Sequence, residues 1–402
     1  MSDLLKIASV LGIMVLLLKK RWGLGSVMAL SSVVLAFLYW LPPADYLTAL
    51  YAAATDKTTI GLILSLTLIR IFENVMRKNG IMQKMMDSFR GMVMDRRALM
   101  ASMPALIGLL PSMGGALFSA PMVEEASKGV DVSQEKKAFI NYIFRHPWEF
   151  VLPLYPGVIL ASAITAYSLR DLILANLPFA LCLLAGGTLW GLRGTGTQKE
   201  SFRKVSRSGM LSFLPLIIIL FAVIILHLHL SITLGMVIIG LFVILRYSLK
   251  NVVLSIREGF SWEIIFIILG VMAFKAVLTS SGAITNISGF LSQTGVPVMP
   301  VLFLLPFLYG LLSGLTVGFV GSTFPILLGL DNANHIGAVS FAFASGYVGV
   351  LLSPVHLCLV LTREYFRAEM SGIYKKIILT GILIMIAAVL EYFIFDRYVL
   401  AR

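Results

Sequence analysis

Residues 141–158, NYIFRHPWEFVLPLYPGV, place Arg145, His146, Glu149 and three prolines in a chain that is oily on either side. Proline removes a backbone donor and opposes helix at the residue before it, so Pro147, Pro153 and Pro156 make one unbroken helix untenable here. The surrounding apolar run, about 138–166, is still long enough to cross a bilayer at 1.5 Å rise per residue, which sets Pro153 close to its centre. The stretch therefore reads as backbone broken inside a membrane, which is tolerated only where protein or a cavity covers the freed polar groups.

Composition agrees. Of 402 residues, 58% are hydrophobic and 13% charged, a balance that would coat a soluble fold in apolar surface. The net charge of +12 is spread between apolar runs instead of gathering into the patch that nucleic acid would need, so no nucleic-acid partner is implied. Cys182 and Cys358 lie singly in apolar runs with neither CxxC nor zinc-ligand spacing, so the spacing points to no disulfide, metal or cofactor. Neither HExxH nor GxSxG occurs, and no nucleophile pairs with a base by motif, which points away from an enzyme and leaves no catalytic residue to name. The first run ends in Lys19-Lys20-Arg21, the reverse of a cleaved leader, and is expected to be a retained span.

Ten spans are expected, near 3–18, 24–41, 58–75, 138–166 and 171–193, then 211–228, 231–247, 262–279, 338–362 and 376–396. Two more runs, about 98–123 and 299–330, are interrupted by LLPSMGGALFSAP and GLTVGFVGSTFP and read as re-entrant hairpins. With residues 19–23 on the cytoplasmic side, this layout puts 24 of the 32 Lys and Arg inside and five outside, as the positive-inside rule demands. The expected location is the cytoplasmic (inner) membrane.

The two halves resemble each other. IRIFENVMRKNGI (69–81) lies over VMAFKAVLTSSGA (271–283), MPALIGLL (103–110) over LPFLYGLL (305–312), and EFVLPLYP (149–156) over VLLSPVHL (350–357), at offsets of 202, 202 and 201 residues. Five spans per half is an odd number, so the second copy is inverted. The expected fold is an all-α polytopic membrane protein of two inverted-topology repeats, 1–193 and 211–402, joined by a cytoplasmic linker at 194–210. Each repeat has about five transmembrane helices, one re-entrant hairpin and a broken helix, the signature of secondary transporters with a mid-membrane site.

Candidate binding groups follow from the breaks. In the first hairpin they are Ser112, Gly114, Gly115 and Ser119; in the second, Gly321, Ser322 and Thr323, read as tips whose free amides and hydroxyls meet an anion. Pro153, Ser353, Pro354 and His356 mark the two broken helices. Arg145 and His146 are candidates for handling an anion or a proton. They lack charged counterparts at Gly346 and Tyr347, which places them at one face of the membrane and away from a symmetric core. Asn141, Glu149 and Ser345 are candidates for a coupling cation.

With these parts in place the chain resembles the ion transporter superfamily, among gluconate permeases and dicarboxylate carriers, and most closely its uncharacterised bacterial and archaeal families. Motif likeness is confined to 111–121, 321–325 and 353–366, where Ser353-Pro354-Val355-His356 leads to Glu364-Tyr365-Phe366. Gluconate permeases are expected to have Asn and Asp where this chain has His356 and Leu357. The resemblance implies an elevator mechanism, a homodimer joined through scaffold helices, and a symporter moving a small organic anion, a carboxylate, with H+ or Na+. A cation/proton antiporter of the same superfamily, or the membrane subunit of a multicomponent carboxylate transporter, are the alternatives.

Overall fold

A computed structural model describes residues 3–93, 95–111, 115–196, 207–283, 285, 286, 289, 297–330 and 335–400, and these are helical with no strand among them. The first half runs α1 (Asp3–Lys19), α2 (Leu24–Leu38), α3 (Pro43–Thr55), α4 (Lys57–Lys78), α5 (Ile81–Met92), α6 (Arg96–Gly108), α7 (Gly115–Ala126), α8 (Gln134–Ile143), α9 (Trp148–Val151), α10 (Pro156–Thr165) and α11 (Leu169–Gly186). α11 continues as a π-helix over Gly187–Leu192. The second half runs α12 (Arg207–Leu211), α13 (Leu214–Ile224), α14 (Leu230–Ile244), α15 (Leu249–Gly259), α16 (Trp262–Ser280), α17 (Val298–Ser313), α18 (Thr316–Leu327), α19 (Ile336–Leu352), α20 (Leu357–Phe366) and α21 (Met370–Leu400).

Among the described residues, six stretches are long and apolar enough to cross a membrane: Lys57–Lys78, Gln134–Thr165, Leu169–Leu192, Trp262–Ser280, Ile336–Phe366 and Met370–Ile394. Shorter apolar helices accompany them at Leu24–Leu38, Gly209–Ile224, Leu230–Ile244, Val298–Ser313 and Thr316–Leu327. The chain is accordingly a multi-pass membrane protein.

Helix starts are capped where the sequence supplies a short polar side chain: Asp95 before α6, Ser133 before α8, Ser168 before α11, Ser248 before α15 and Ser261 before α16 each accept a main-chain N–H. Asp56 caps α4 by accepting from Thr58 and Thr59. Lying just outside the span, its carboxyl is held below the usual carboxylate range, chiefly by the Thr58 side chain. The basic stretches on either side of the spans are not open loops: α5 and α15 are amphipathic helices carrying Lys84, Arg90, Lys250 and Arg257. α3 was not expected. Pro43 sits in its first turn, where the missing N–H costs nothing, so the Pro42-Pro43 pair starts a helix here.

Helix α6 turns back into α7, and α17 turns back into α18, giving two helical hairpins. The first arms each carry an internal proline, Pro104 and Pro306, and so do the second, Pro121 and Pro325. Two interrupted helices, α8–α9–α10 and α19–α20, pack crosswise on them: α10 lies against α18, and α20 against α7. α17 lies along α19, while α16 packs against α2 and α3 and also touches α4 and α18.

Several features recur at a spacing of 201 or 202 residues. Gly80, after α4, and Gly282, after α16, both adopt left-handed backbone, at φ 65° and 69°. A Cβ on Gly108 would strike the Arg145 carbonyl, and one on Gly310 the Gly346 carbonyl. Trp148 Nε1 donates to Ala105 O at 2.6 Å, while Gly349 lies directly against Phe307 O. These pairs are 201 or 202 residues apart.

Candidate functional site

Both interrupted helices break where proline forces them to. The first loses helical form across Leu152–Tyr155, around the buried Pro153, and the second across Ser353–His356, around Pro354. Ser353 holds its break by accepting from Val355 N at 3.4 Å. A further interruption separates α8 from α9 at Phe144–Pro147, and this one turns Arg145 and His146 inward.

His146 and His356 meet at the centre of the assembly. Their Nε2 atoms are 3.1 Å apart. His146 Nδ1 lies 2.5 Å from Tyr142 O, and His356 Nδ1 lies 2.7 Å from Gly314 O in the turn of the second hairpin. Cys358 Sγ completes a trio of atoms within 4.8 Å of one another. Glu149 Oε1 is 3.9 Å from His146 Nε2, while its Oε2 accepts from Thr316 Oγ1 at 2.6 Å, tying the first break to α18. Two buried tyrosines fix the frame: Tyr142 OH donates to Leu351 O at 3.1 Å and Tyr347 OH to His146 O at 2.9 Å. Tyr155 OH similarly donates to Gly108 O at 2.5 Å.

The placement of Arg145 and His146 corrects an expectation. They do not lie at one face away from the core: His146 is 1% exposed and Arg145 4%. The turn after α8 is the reason, because it swings both side chains toward the partner helix instead of along the span. The Arg145 guanidinium lies on Gly115 at the start of α7, so closely that a methyl there would overlap it.

The second hairpin also turns elsewhere than expected. Its tip is Gly314, at φ 64°, between α17 and α18. Gly321, Ser322 and Thr323 lie inside α18, where Ser322 Oγ points to Met28 Sδ at 3.5 Å and Thr323 Oγ1 to Phe319 O at 2.7 Å. Pro325 does not break this helix, and Gly321 admits Val271 against the backbone. Ser119 lies similarly within α7, bonded to Gly115 O and Ala116 O. Ser345 bonds Phe341 O in its own helix. Ser112 and Gly114 lie outside the described residues.

Asn141 bridges the first hairpin to the second interrupted helix. Its Nδ2 donates to Ala116 O at 3.1 Å and to Thr362 Oγ1 at 3.0 Å, and its buried Oδ1 has no hydrogen-bond partner among the described residues. A buried carbonyl oxygen without a donor is an incomplete site that a cation or proton would satisfy. Sequence reading missed a second such group: Glu391 of α21 is buried beside Ser340, and neither carboxylate oxygen has a hydrogen-bond partner among the described residues. Ser340 Oγ donates to Asn176 Oδ1 at 3.0 Å. The signal was present, an acid inside the apolar run 376–396.

A cavity of about 500 Å³ lies between α4, α10, α11 and α14, lined by Lys57, Arg170, His227 and His229 together with Ser65, Ser162 and Ser168. It includes none of His146, Glu149, His356 and Cys358. Its cationic rim favours an anion.

Fold and centre together define a multi-pass helical membrane protein whose buried polar groups are gathered by two interrupted helices and two hairpins. The chain belongs to DUF401, a family of proteins of unknown function, with the match covering residues 1–395. No curated protein matches it.

Proposed function

We propose that this protein is a secondary active transporter of a small organic anion, a carboxylate, in the cytoplasmic membrane, coupled to H+ or Na+. The observation that carries the reading is Arg145, a guanidinium buried at the junction of the first hairpin and an interrupted helix, in a chain that also has a cation-rimmed cavity between α4, α10, α11 and α14. Ionisable side chains inside membrane segments are rare and mark substrate or ion pathways. The broken helices supply the unwound backbone that transporter sites employ, and the contacts repeated at 201–202 residues support a pair of inverted repeats with re-entrant hairpins. Asn141 Oδ1 and Glu149 are the groups offered for a coupling cation, and alternating access runs by an elevator movement of hairpins and broken helices against the remaining helices, with two protomers joined through those.

Proteoliposomes test this. Carboxylate uptake driven by an imposed proton or sodium gradient, and abolished by Arg145→Ala, is the expected result; no movement of any carboxylate under either gradient refutes it. Glu391 favours a second reading, a cation/proton antiporter, because its buried carboxylate faces only neutral polar groups among the described contacts. Sodium-dependent proton flux reported by a dye in the same vesicles, without carboxylate present, would establish that reading in place of the first.

A further inference from the structure

We propose that His146, His356 and Cys358, completed by Glu149, bind one zinc-class divalent transition-metal ion. Tautomers carry the first step. A backbone carbonyl only accepts, so the hydrogen bonds to Tyr142 O and Gly314 O put a proton on Nδ1 of each imidazole. Each neutral ring then presents a bare lone pair at Nε2, and the two lone pairs confront each other at 3.1 Å. Two acceptors at hydrogen-bonding distance repel unless something positive sits between them.

The surroundings specify that positive species. Nδ1–H donation to a carbonyl is the support that metal-ligating histidines use to fix ring orientation. Tyr142 adds a ring contact, with centroids 4.4 Å from His146. A thiol whose Sγ lies within 4.8 Å of a ring nitrogen of each histidine contributes the soft ligand that selects zinc-like ions over Mg2+ or Ca2+. A tetrahedral ion with bonds of roughly 2.0–2.3 Å needs ligand atoms about 3.3–3.6 Å apart. The two imidazoles already meet this to within a few tenths of an ångström, and Glu149 Oε1, at 3.9 Å, reaches it with a small side-chain rotation.

Charge closes the argument. Two neutral imidazoles, a carboxylate and a thiolate balance a divalent ion, with the thiol proton released to solvent on binding. The site then adds no net charge to the membrane interior, and the Arg145 guanidinium keeps its own. A lone proton shared between the imidazoles would pair with Glu149 at 3.9 Å but would give Cys358 no part, whereas a metal ion uses all four groups. The proposal concerns metal binding alone and does not rest on the transport reading, with which it shares Glu149.

The experiment uses the untagged full chain in detergent, stripped with a chelator and titrated with Zn2+ and, separately, Co2+. Expected are one equivalent of tightly bound metal and, with cobalt, the visible bands of a four-coordinate ion plus a thiolate-to-cobalt charge-transfer band. Cys358→Ser removes the charge-transfer band while leaving weaker binding, and His146→Ala or His356→Ala lowers affinity by more than about 100-fold. Size-exclusion profiles matching the parent show that the variants are folded, and Cys358→Ser tests the same site by the mildest change. Stoichiometry well below one, or metal uptake and cobalt spectra indifferent to Cys358→Ser and His356→Ala, overturns the proposal and leaves a shared proton between the imidazoles.

Discussion

Gly310→Ala sets the packing of α17 on α19 against a measurable cost. A Cβ at Gly310 would lie 3.0 Å from the Gly346 carbonyl carbon and from Val350 N, and closer still to the Gly346 oxygen. All three atoms are backbone, so no rotamer change relieves the overlap. The opposing helix cannot shift freely either, because Gly349 lies against Phe307 O and Tyr347 is tied to His146 O. Forcing a methyl into such a contact costs roughly 1–3 kcal/mol or more. Alanine returns about 1 kcal/mol of helix propensity over glycine. The control is Gly240→Ala in α14, where a Cβ meets nothing within 4 Å, so only the propensity gain of about 0.5–1 kcal/mol operates. The propensity term cancels between the two variants, which are therefore expected to differ by about 1–3 kcal/mol, roughly 5- to 150-fold in the equilibrium between intact and opened protein. Thermal unfolding of detergent-solubilised protein, followed by loss of the size-exclusion peak, reads this difference: Gly310→Ala unfolds below Gly240→Ala, which itself does not fall below the parent. A midpoint for Gly310→Ala at or above that of Gly240→Ala would refute the close approach of α17 and α19.

Gly115→Ala meets only the flexible end of Arg145, so it should displace the guanidinium by about 1 Å with little loss of thermal stability while lowering carboxylate uptake by up to about 100-fold, read as initial rates in proteoliposomes. Tyr347→Phe removes the 2.9 Å bond to His146 O, which keeps only its 3.3 Å bond from Glu149 N, at a cost of about 0.5–1.5 kcal/mol in the same unfolding assay. Ser322→Ala, whose hydroxyl faces Met28, should leave uptake within about twofold of the parent, as expected of a packing position. Asp56 has a lowered carboxyl pKa in the folded state, so its contribution is present above the unfolded value of about 3.9 and is lost as pH falls through the folded value. The stability gap between the parent and Asp56→Ala, about 0.5–2 kcal/mol at neutral pH, should therefore close only in acid, in a pH series of unfolding midpoints.

Backbone chemistry was the legible part of the chain. Pro153 and Pro354 break their helices because proline has no N–H to give, whereas Pro104, Pro121, Pro306 and Pro325 are carried inside helices, so the proline marks a break only where its neighbours also give way. Gly80 and Gly282 were paired by spacing alone, and both take left-handed backbone. The Gly-Ser-Thr run at 321–323 misled for the opposite reason: small and hydroxyl residues serve a helix tip and a tight helix contact equally well, and only the neighbour, here Val271 and Met28, decides between them. The Ser313-Gly314 pair carried the true turn signal. The meeting of His146 with His356 was beyond reach. The two residues are 210 positions apart, and Tyr347 at the equivalent position of the second half conceals the pairing, since it sends a hydroxyl to a carbonyl where the other half sends an imidazole to its opposite number.

The crosswise seating of the interrupted helices has a mechanical consequence. The first hairpin holds the first break through Tyr155 and Trp148, α10 of that break lies on the second hairpin, α17 of the second hairpin lies on α19, and α20 returns to the first hairpin. The contacts close into a ring with no free end. Loosening any one piece breaks two seams at once, so the four should open and protect their amides as a single cooperative unit. A displacement that carries the histidine centre any distance has to carry the whole ring with it, leaving the sliding to the surfaces outside.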